Sequence, residues 1–246
     1  MDLLPDCYGI IPTRYASSRF EGKPLALILG KPMFWHVYNR TRQCTRLSKV
    51  MLATDDQRIM VAAQNLDVPV LMTSASHTCG TERVLEAARL LDVAPDAVVI
   101  NIQGDEPTLE PAMLEELILP FLSSDVQVTT LAREIDFDEA HNADVVKVVL
   151  DNSAKALYFS RAPIPYPRDG KQDGFHAHIG IYAFRMQTLE TFVSLQNGVL
   201  EKKEKLEQLR LLENGIPIHV VKTTYKSHGV DRPEDIELVT KIMANS

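Results

Sequence analysis

The sequence predicts an α/β fold: a single domain built on a mainly parallel, twisted sheet with helices on both faces. Three observations predict it. Short β-branched runs alternate with longer amphipathic stretches. Prolines and polar, glycine-bearing turns punctuate the segments. The 246 residues are enough for one large α/β unit without a low-complexity linker or an internal repeat.

The elements follow in order. Strands are predicted at Tyr8–Ile11, Lys49–Ala53, Val68–Met72, Ala97–Ile102 and Val126–Leu131, where β-branched residues concentrate. Helices are predicted at Pro32–Thr45, Asp56–Asn65, Thr81–Leu91 and Pro111–Leu122. Pro32 and Pro111 suit a first helical position, where the missing N–H costs nothing. After about residue 133 the rhythm changes. Strands at Val145–Leu150, Ala156–Phe159 and His178–Phe184 are joined by longer polar segments, and Arg161–Gly174 is irregular, with three prolines and two glycines. Leu200–Gly215 reads as one amphipathic helix, with Leu206, Leu209 and Leu212 at helical spacing and Gly215 as its cap. A last strand at Pro217–Val221 and a closing helix at Pro233–Met243 complete the domain, residues 1–246, with an excursion near residues 151–195.

Composition narrows the function. Hydrophobic residues make up 45% and charged residues 24%, an ordinary globular balance. No apolar run approaches the roughly 20 residues that span a bilayer, and the short acidic opening Met1–Asp6 does not read as a signal peptide. Cys7, Cys44 and Cys79 are odd in number and widely spaced, which points to neither a disulfide framework nor a zinc site. The expectation is a cytoplasmic protein. A formal net charge of −7 argues against general affinity for nucleic acid or an anionic membrane.

Against that acidic balance, the loop after the first strand is cationic. Arg14, Arg19, Lys23 and Lys31 stand against the single acid Glu21. The residues alone leave two readings, a solvated basic loop or a site for a small polyanion. Forked guanidiniums and a compact ammonium suit phosphate oxygens, Gly22 permits close backbone approach, and Ser17 and Ser18 add hydroxyls. Neither GxGxxG nor GxxxxGK[ST] is present, so side chains would do most of the holding.

Four further stretches carry chemistry. "NIQGDEP" (Asn101–Pro107) sets Asp105 and Glu106 just past a buried strand, where a carboxylate can take Mg²⁺ or simply form an acidic turn. "HGVDRPED" offers Asp231 as a second metal carboxylate or as a helix cap. "HTCGTER" (His77–Arg83) leads into a helix and could form an anion or base-edge pocket. Cys79 and His77 lack a third orienting group for nucleophilic catalysis. His178 and Tyr182 in "HIGIY" share one strand face.

Together, "IPTRYASSRFEGKPL", "ATDD", "HTCGTER", "NIQGDEP", "DVVKVVLD", "ALYFSRAPIP", "HIGIYAF", "EKLEQLRLLENG" and "GVDRPEDIE" resemble the 3-deoxy-manno-octulosonate (Kdo) cytidylyltransferases, in order, over nearly the whole chain. The resemblance implies an α/β domain akin to nucleotide-sugar transferases and a homodimer in which the excursion contributes contacts. It implies the reaction of CTP with Kdo to give CMP-Kdo and pyrophosphate, for lipopolysaccharide assembly. By resemblance, Arg14, Arg19 and Lys23 match the loop that binds the CTP phosphates, with Arg14 and Lys23 taking part in catalysis. Asp105 and Asp231 match the catalytic carboxylates that hold Mg²⁺, and Arg83 matches a CTP contact. Gln103, Arg161, His178, Tyr182, Glu207 and Gln208 match the sugar-acid site.

Three departures stand out. Cys79 replaces the serine of HxSGT, Glu21 replaces the proline of SRxPGKP, and Thr13 replaces a common alanine. They are expected to tune affinity or the sugar accepted. The alternatives are activation of a related acid (8-amino-3,8-dideoxy-octulosonate or a nonulosonate), a glycosyltransferase of similar fold, and a non-catalytic nucleotide-binding regulator. "TDDQR" lacks the DxD pattern of the second, and retention of the loop cations and both carboxylates argues against the third.

Overall fold

A computed structural model describes residues 4–16, 19–168, 170 and 173–245. Ser17 and Ser18, and residues 169, 171 and 172 of the irregular segment, lie outside the described residues. The first half runs β1 (Cys7–Thr13), the small ribbon β2 (Leu27–Ile28) and β3 (Lys31–Pro32), α1 (Met33–Thr41), β4 (Lys49–Thr54), α2 (Gln57–Gln64), β5 (Val70–Met72), α3 (Gly80–Leu90), β6 (Val98–Asn101) and α4 (Pro111–Ile118). The second half runs β7 (Val128–Ile135), α5 (Phe137–Ala140), β8 (Lys147–Leu150), β9 (Ala156–Ser160), β10 (Phe175–Arg185), α6 (Met186–Ser194), α7 (Val199–Glu204), α8 (Leu209–Glu213), β11 (His219–Lys222) and α9 (Asp235–Ala244).

The main sheet has the order β11-β7-β10-β6-β1-β4-β5, and β8 and β9 extend it from β10. Its strands are apolar on both faces because both are covered. In β1, Ile10 packs into one core with Val84 and Ala87 of α3, while Ile11 packs into the other with Phe34 and Val37 of α1. The same split recurs at Leu52 and Ala53 of β4 and at Val98 and Val99 of β6. Helices therefore lie on both faces, as the alternating pattern predicts.

The sheet is mostly parallel, as expected, but mixed, and two helix expectations need correction. β1, β4, β5 and β6 are parallel, but β10 runs antiparallel to both β6 and β7, and β11 is parallel to β7. The predicted helix Leu200–Gly215 is two short helices separated by an elbow, with Lys205 left-handed at φ 57°. Leucine spacing marks an apolar face but does not say whether the helix stays straight. Pro32 is the cap of α1 rather than its first helical residue, whereas Pro111 does open α4.

β10 also carries an irregularity that matters for the site. Ile179 pairs with Leu131 and Tyr182 with Thr130, so Gly180 and Ile181 are additional residues on the β10 side. Two extra residues preserve the up-and-down alternation. His178 and Tyr182 remain on one face, with ring centroids 5.3 Å apart.

Candidate active site

The carboxyl ends of β1, β4, β5 and β6 share one edge of the sheet, where parallel α/β sheets place ligands. β1 delivers the cationic loop, β6 delivers Gln103–Glu106, and the turn after β5 leads into α3. Gly104 lets the first two meet: a Cβ there would stand 2.8 Å from the Pro12 carbonyl and 3.0 Å from Thr13 Cγ2. Any larger residue would push the acidic turn away from the loop.

At the junction, cations and carboxylates are already paired. Lys23 Nζ donates to Asp105 at 2.5 Å and to the Val230 carbonyl at 2.9 Å, and lies 3.8 Å from Asp231. Arg19 approaches the same Asp231 with both terminal nitrogens, at 3.1 and 3.2 Å. Arg14 is exposed and lines the same small cavity. The ammonium of Lys23 thus occupies a position where two carboxylates converge on a cation. Among the described residues no group of three or more His, Cys, Asp or Glu side chains forms a metal-ligand set. Two carboxylates beside a cationic loop fit the needs of Mg²⁺, a hard cation that takes its remaining ligands from substrate oxygens and water.

Two cavities meet here. The smaller, about 250 Å³, is lined by Arg14, Arg19, Lys23, His77, Cys79 and Arg83. The larger, about 670 Å³, is lined by His178, Tyr182, Glu207, Gln208 and residues of the β7 and β8 ends. Gly80, Gln103, Asp105 and Asp231 line both.

The larger cavity contains polar atoms that a folded chain rarely leaves unpaired. Asn101 Oδ1, Tyr182 Oη and Gln208 Nε2 are buried without a hydrogen-bond partner. The Thr130 hydroxyl beside Tyr182 is already engaged by the carbonyls of Ile179 and Ile181 and by His178 Nε2. Glu207 accepts from Thr81 Oγ1 at 3.0 Å, and Gln103 Nε2 donates to the Gly180 carbonyl at 3.0 Å. Burial pushes the His178 imidazole down to about 3, so it is neutral and can donate or accept. Burial, aided by the Glu207 charge, holds the Tyr182 phenol protonated. Neutral donors and acceptors on the residues that line the cavity suit a hydroxyl-rich ligand.

A cytidylyltransferase family model matches residues 8–224. The 3-deoxy-manno-octulosonate cytidylyltransferase of Nitratidesulfovibrio vulgaris (strain DP4) is 59% identical over 241 residues, covering 96% of each chain. That of Lawsonia intracellularis is 52% identical, covering 98% of this chain and 95% of its own. The chain belongs to the 3-deoxy-manno-octulosonate cytidylyltransferase family. A solved structure of CMP:2-keto-3-deoxy-manno-octonic acid synthetase complexed with CTP superposes with a TM-score of 0.93 at 40% identity, covering 98% of this chain and 99% of that one. A cytidylyltransferase of Leptospira borgpetersenii, 14% identical with a TM-score of 0.66, shares the fold.

In this member of the cytidylyltransferase family, ten of the twelve residues read from the sequence line the joined cavities with side chains not wholly committed elsewhere. Arg83 and Arg161 are placed differently. Arg83 lines the smaller cavity but is buried, and its guanidinium is held by Asp55 and Thr73 at 2.6 Å each and by the Ser74 carbonyl. Arg161 does not line the larger cavity. Its side chain donates to the carbonyls of Glu204 and Ala143, and its backbone N–H to the Glu204 carboxylate.

Several cavity residues have no site role assigned from the sequence, although "NIQGDEP" names Glu106 beside Asp105. Glu106 lines the larger cavity and binds Ser227, and burial, with Asp105 and Asp231 nearby, pushes its carboxyl up to about 7. Its neighbour Asp105 drew the attention in "NIQGDEP", and nothing local distinguishes their environments. Arg133, Asp144 and Lys205 also line the cavity. They come from β7 and from two separate turns, so only the fold brings them together.

The departures have local explanations. Thr13 is buried, and its hydroxyl donates to the Ala53 carbonyl. Glu21 is exposed. Cys79 is the N-cap of α3, makes no capping bond, and has its thiol pushed up to about 11 by burial and by Glu207. It is not a thiolate nucleophile at neutral pH.

Proposed function

We propose that the chain transfers CMP from CTP to 3-deoxy-D-manno-octulosonate, giving CMP-Kdo and pyrophosphate for lipopolysaccharide biosynthesis. The observation that carries this reading is the meeting of two unlike cavities at one acidic junction. The smaller is cationic and suits a triphosphate. The larger, with unpaired neutral donors and acceptors, suits a polyhydroxylated sugar acid. A CTP α-phosphate seated between them would lie beside Gln103, Asp105 and Asp231.

The chemistry forms one bond and breaks one. The anomeric oxygen of the sugar bonds to the α-phosphorus, the bond from that phosphorus to the bridging oxygen breaks so that pyrophosphate leaves, and the hydroxyl proton passes to solvent. Arg14, Arg19 and Lys23 bind the β- and γ-phosphates and stabilise the charge that grows on pyrophosphate. Arg19 and Lys23 must therefore exchange carboxylate partners for phosphate oxygens as CTP enters. His178, Tyr182, Glu207 and Gln208 orient the sugar so that its reactive oxygen faces phosphorus, which supplies proximity rather than acid–base chemistry. Asp105 and Asp231 would hold Mg²⁺, which when bound polarises the α-phosphate and lowers the pKa of an adjacent hydroxyl.

The enzyme acts as a homodimer in the cytoplasm. The dimer is supported by Leu157 and Tyr166, which expose 61% and 85% of their surface on the excursion after β8.

The test is pyrophosphate release from CTP and Mg²⁺ with Kdo, its 8-amino analogue and a sialic acid supplied separately. Rapid release with Kdo alone supports the reading. Release only with the 8-amino sugar keeps the reaction and changes the substrate.

A further inference from the structure

Glu201 and Arg210 are buried charges that the proposed chemistry does not use. Arg210 Nε donates to Glu201 Oε2 at 2.8 Å and Nη2 to Oε1 at 2.5 Å, a forked pair with each residue below a tenth exposed. The guanidinium carbon also lies 4.8 Å from the centroid of Phe192 in α6.

The two residues are nine apart in sequence. In a straight α-helix that separation is about 14 Å along the axis and roughly two and a half turns, which puts the side chains on opposite faces. The pair and a continuous helix exclude one another. Its formation requires the elbow at Lys205–Gln208, where Lys205 takes a left-handed conformation at φ 57° despite being neither glycine nor asparagine.

A second cross-link supports the same bend. The Glu213 carboxylate at the end of α8 accepts from the backbone N–H groups of Val199, Leu200 and Glu201 at 2.9, 3.0 and 3.3 Å, capping the start of α7. Glycine at 198 makes room for it, since a Cβ there would collide with Glu213. Helices of six and five residues do not hold themselves in isolation, so these links set their geometry.

The elbow carries Glu207 and Gln208 to the wall of the larger cavity. We propose that the Glu201–Arg210 pair is a positioning device for sugar-acid binding, folding α7 and α8 into the elbow that presents Glu207 and Gln208. The proposal rests on the reading that the larger cavity takes the sugar acid. Neither paired residue touches the ligand. The phosphate loop is held by separate contacts, so loosening the elbow affects one substrate and spares the other.

Steady-state kinetics with Kdo and CTP test it on Arg210→Met, Arg210→Lys and Glu201→Gln. Wild-type turnover with Kdo comes first: if there is none, the functional reading fails and this inference fails with it. With an active wild type, Arg210→Met should raise the KM for Kdo by about tenfold or more, because a misplaced orienting group of about 1 Å is felt strongly. The KM for CTP should stay within about twofold, and Arg210→Lys, keeping the charge but not the fork, should fall between. Parallel changes in both KM values, or no change in either, would overturn the inference while leaving the reaction intact. If a single variant fails to fold, as lost CTP binding by calorimetry would reveal, Glu201→Leu/Arg210→Met removes both charges together. That double variant should show the same split, and a wild-type KM for Kdo in it would overturn the proposal.

Discussion

Lys23 bridges two carboxylates, with its Nζ 2.5 Å from Asp105 and 3.8 Å from Asp231. The same three side chains that balance one another without substrate would be redistributed with it, the ammonium to phosphate and the carboxylates to a cation. Asp105→Asn should lower kcat by on the order of a thousandfold, the scale expected when transition-state charge stabilisation is lost at a metal carboxylate. CTP affinity, measured by calorimetry without the sugar, should change far less. A variant retaining a tenth of wild-type turnover would remove Asp105 from the chemistry.

Lys23→Met takes away the cation on both sides of the exchange. It leaves Asp105 without its cation, while Asp231 keeps Arg19, and it removes one phosphate contact, so the KM for CTP should rise by about tenfold or more, given the strength of charge-assisted bonds. The KM for Kdo is the internal control. An unchanged KM for CTP would contradict the assignment of the loop.

Arg83 is predicted to act through structure. Its side chain is 4% exposed and its partner Asp55 is 20% exposed. Arg83→Ala strands Asp55 and opens space beneath the turn after β5, at a cost of about 3 kcal/mol in chemical unfolding. A loss below about 1 kcal/mol combined with a large rise in the KM for CTP would make Arg83 a direct phosphate ligand instead.

Cys79→Ser should stabilise. The N-cap position of α3 has extended dihedrals and no side-chain capping bond, and serine is among the best residues there. A gain of about 0.5–1 kcal/mol in urea unfolding is expected, with kcat and both KM values little changed. A marked shift in preference among octulosonic acids would instead make Cys79 a specificity residue.

His178 should leave a signature in acid. The unfolded imidazole takes up a proton near pH 6.5, whereas burial holds the folded one down to about 3. The stability from keeping it neutral is fully present above about pH 6.5 and is lost as pH falls toward 3, at no more than about 1.4 kcal/mol per pH unit. Urea unfolding of the wild type should therefore weaken more between about pH 6.5 and pH 5 than that of His178→Gln. Equal slopes would place His178 in a wetter, titrating setting.

The sheet's parallel half was legible because each strand there is a short β-branched run followed by a helix. β10 was not, because nothing in Phe175–Arg185 states which way it runs between β6 and β7. The elbow at Lys205 was hidden for a different reason. Every residue from Leu200 to Asn214 tolerates a helix, and the bend comes from a buried pair nine residues apart. Site residues next to glycine, as Asp105 and Lys23 are, announce themselves in short motifs. Arg133, Asp144 and Lys205 come from separate elements and reach the cavity only through the tertiary fold.

The most direct test of the central claim is phosphorus NMR of the protein with CTP, Mg²⁺ and Kdo. The triphosphate resonances should convert to one phosphodiester and free pyrophosphate in equal amounts, only when the sugar acid is present. Formation of inorganic phosphate, or resonances that stay unchanged with every sugar acid supplied, would contradict it.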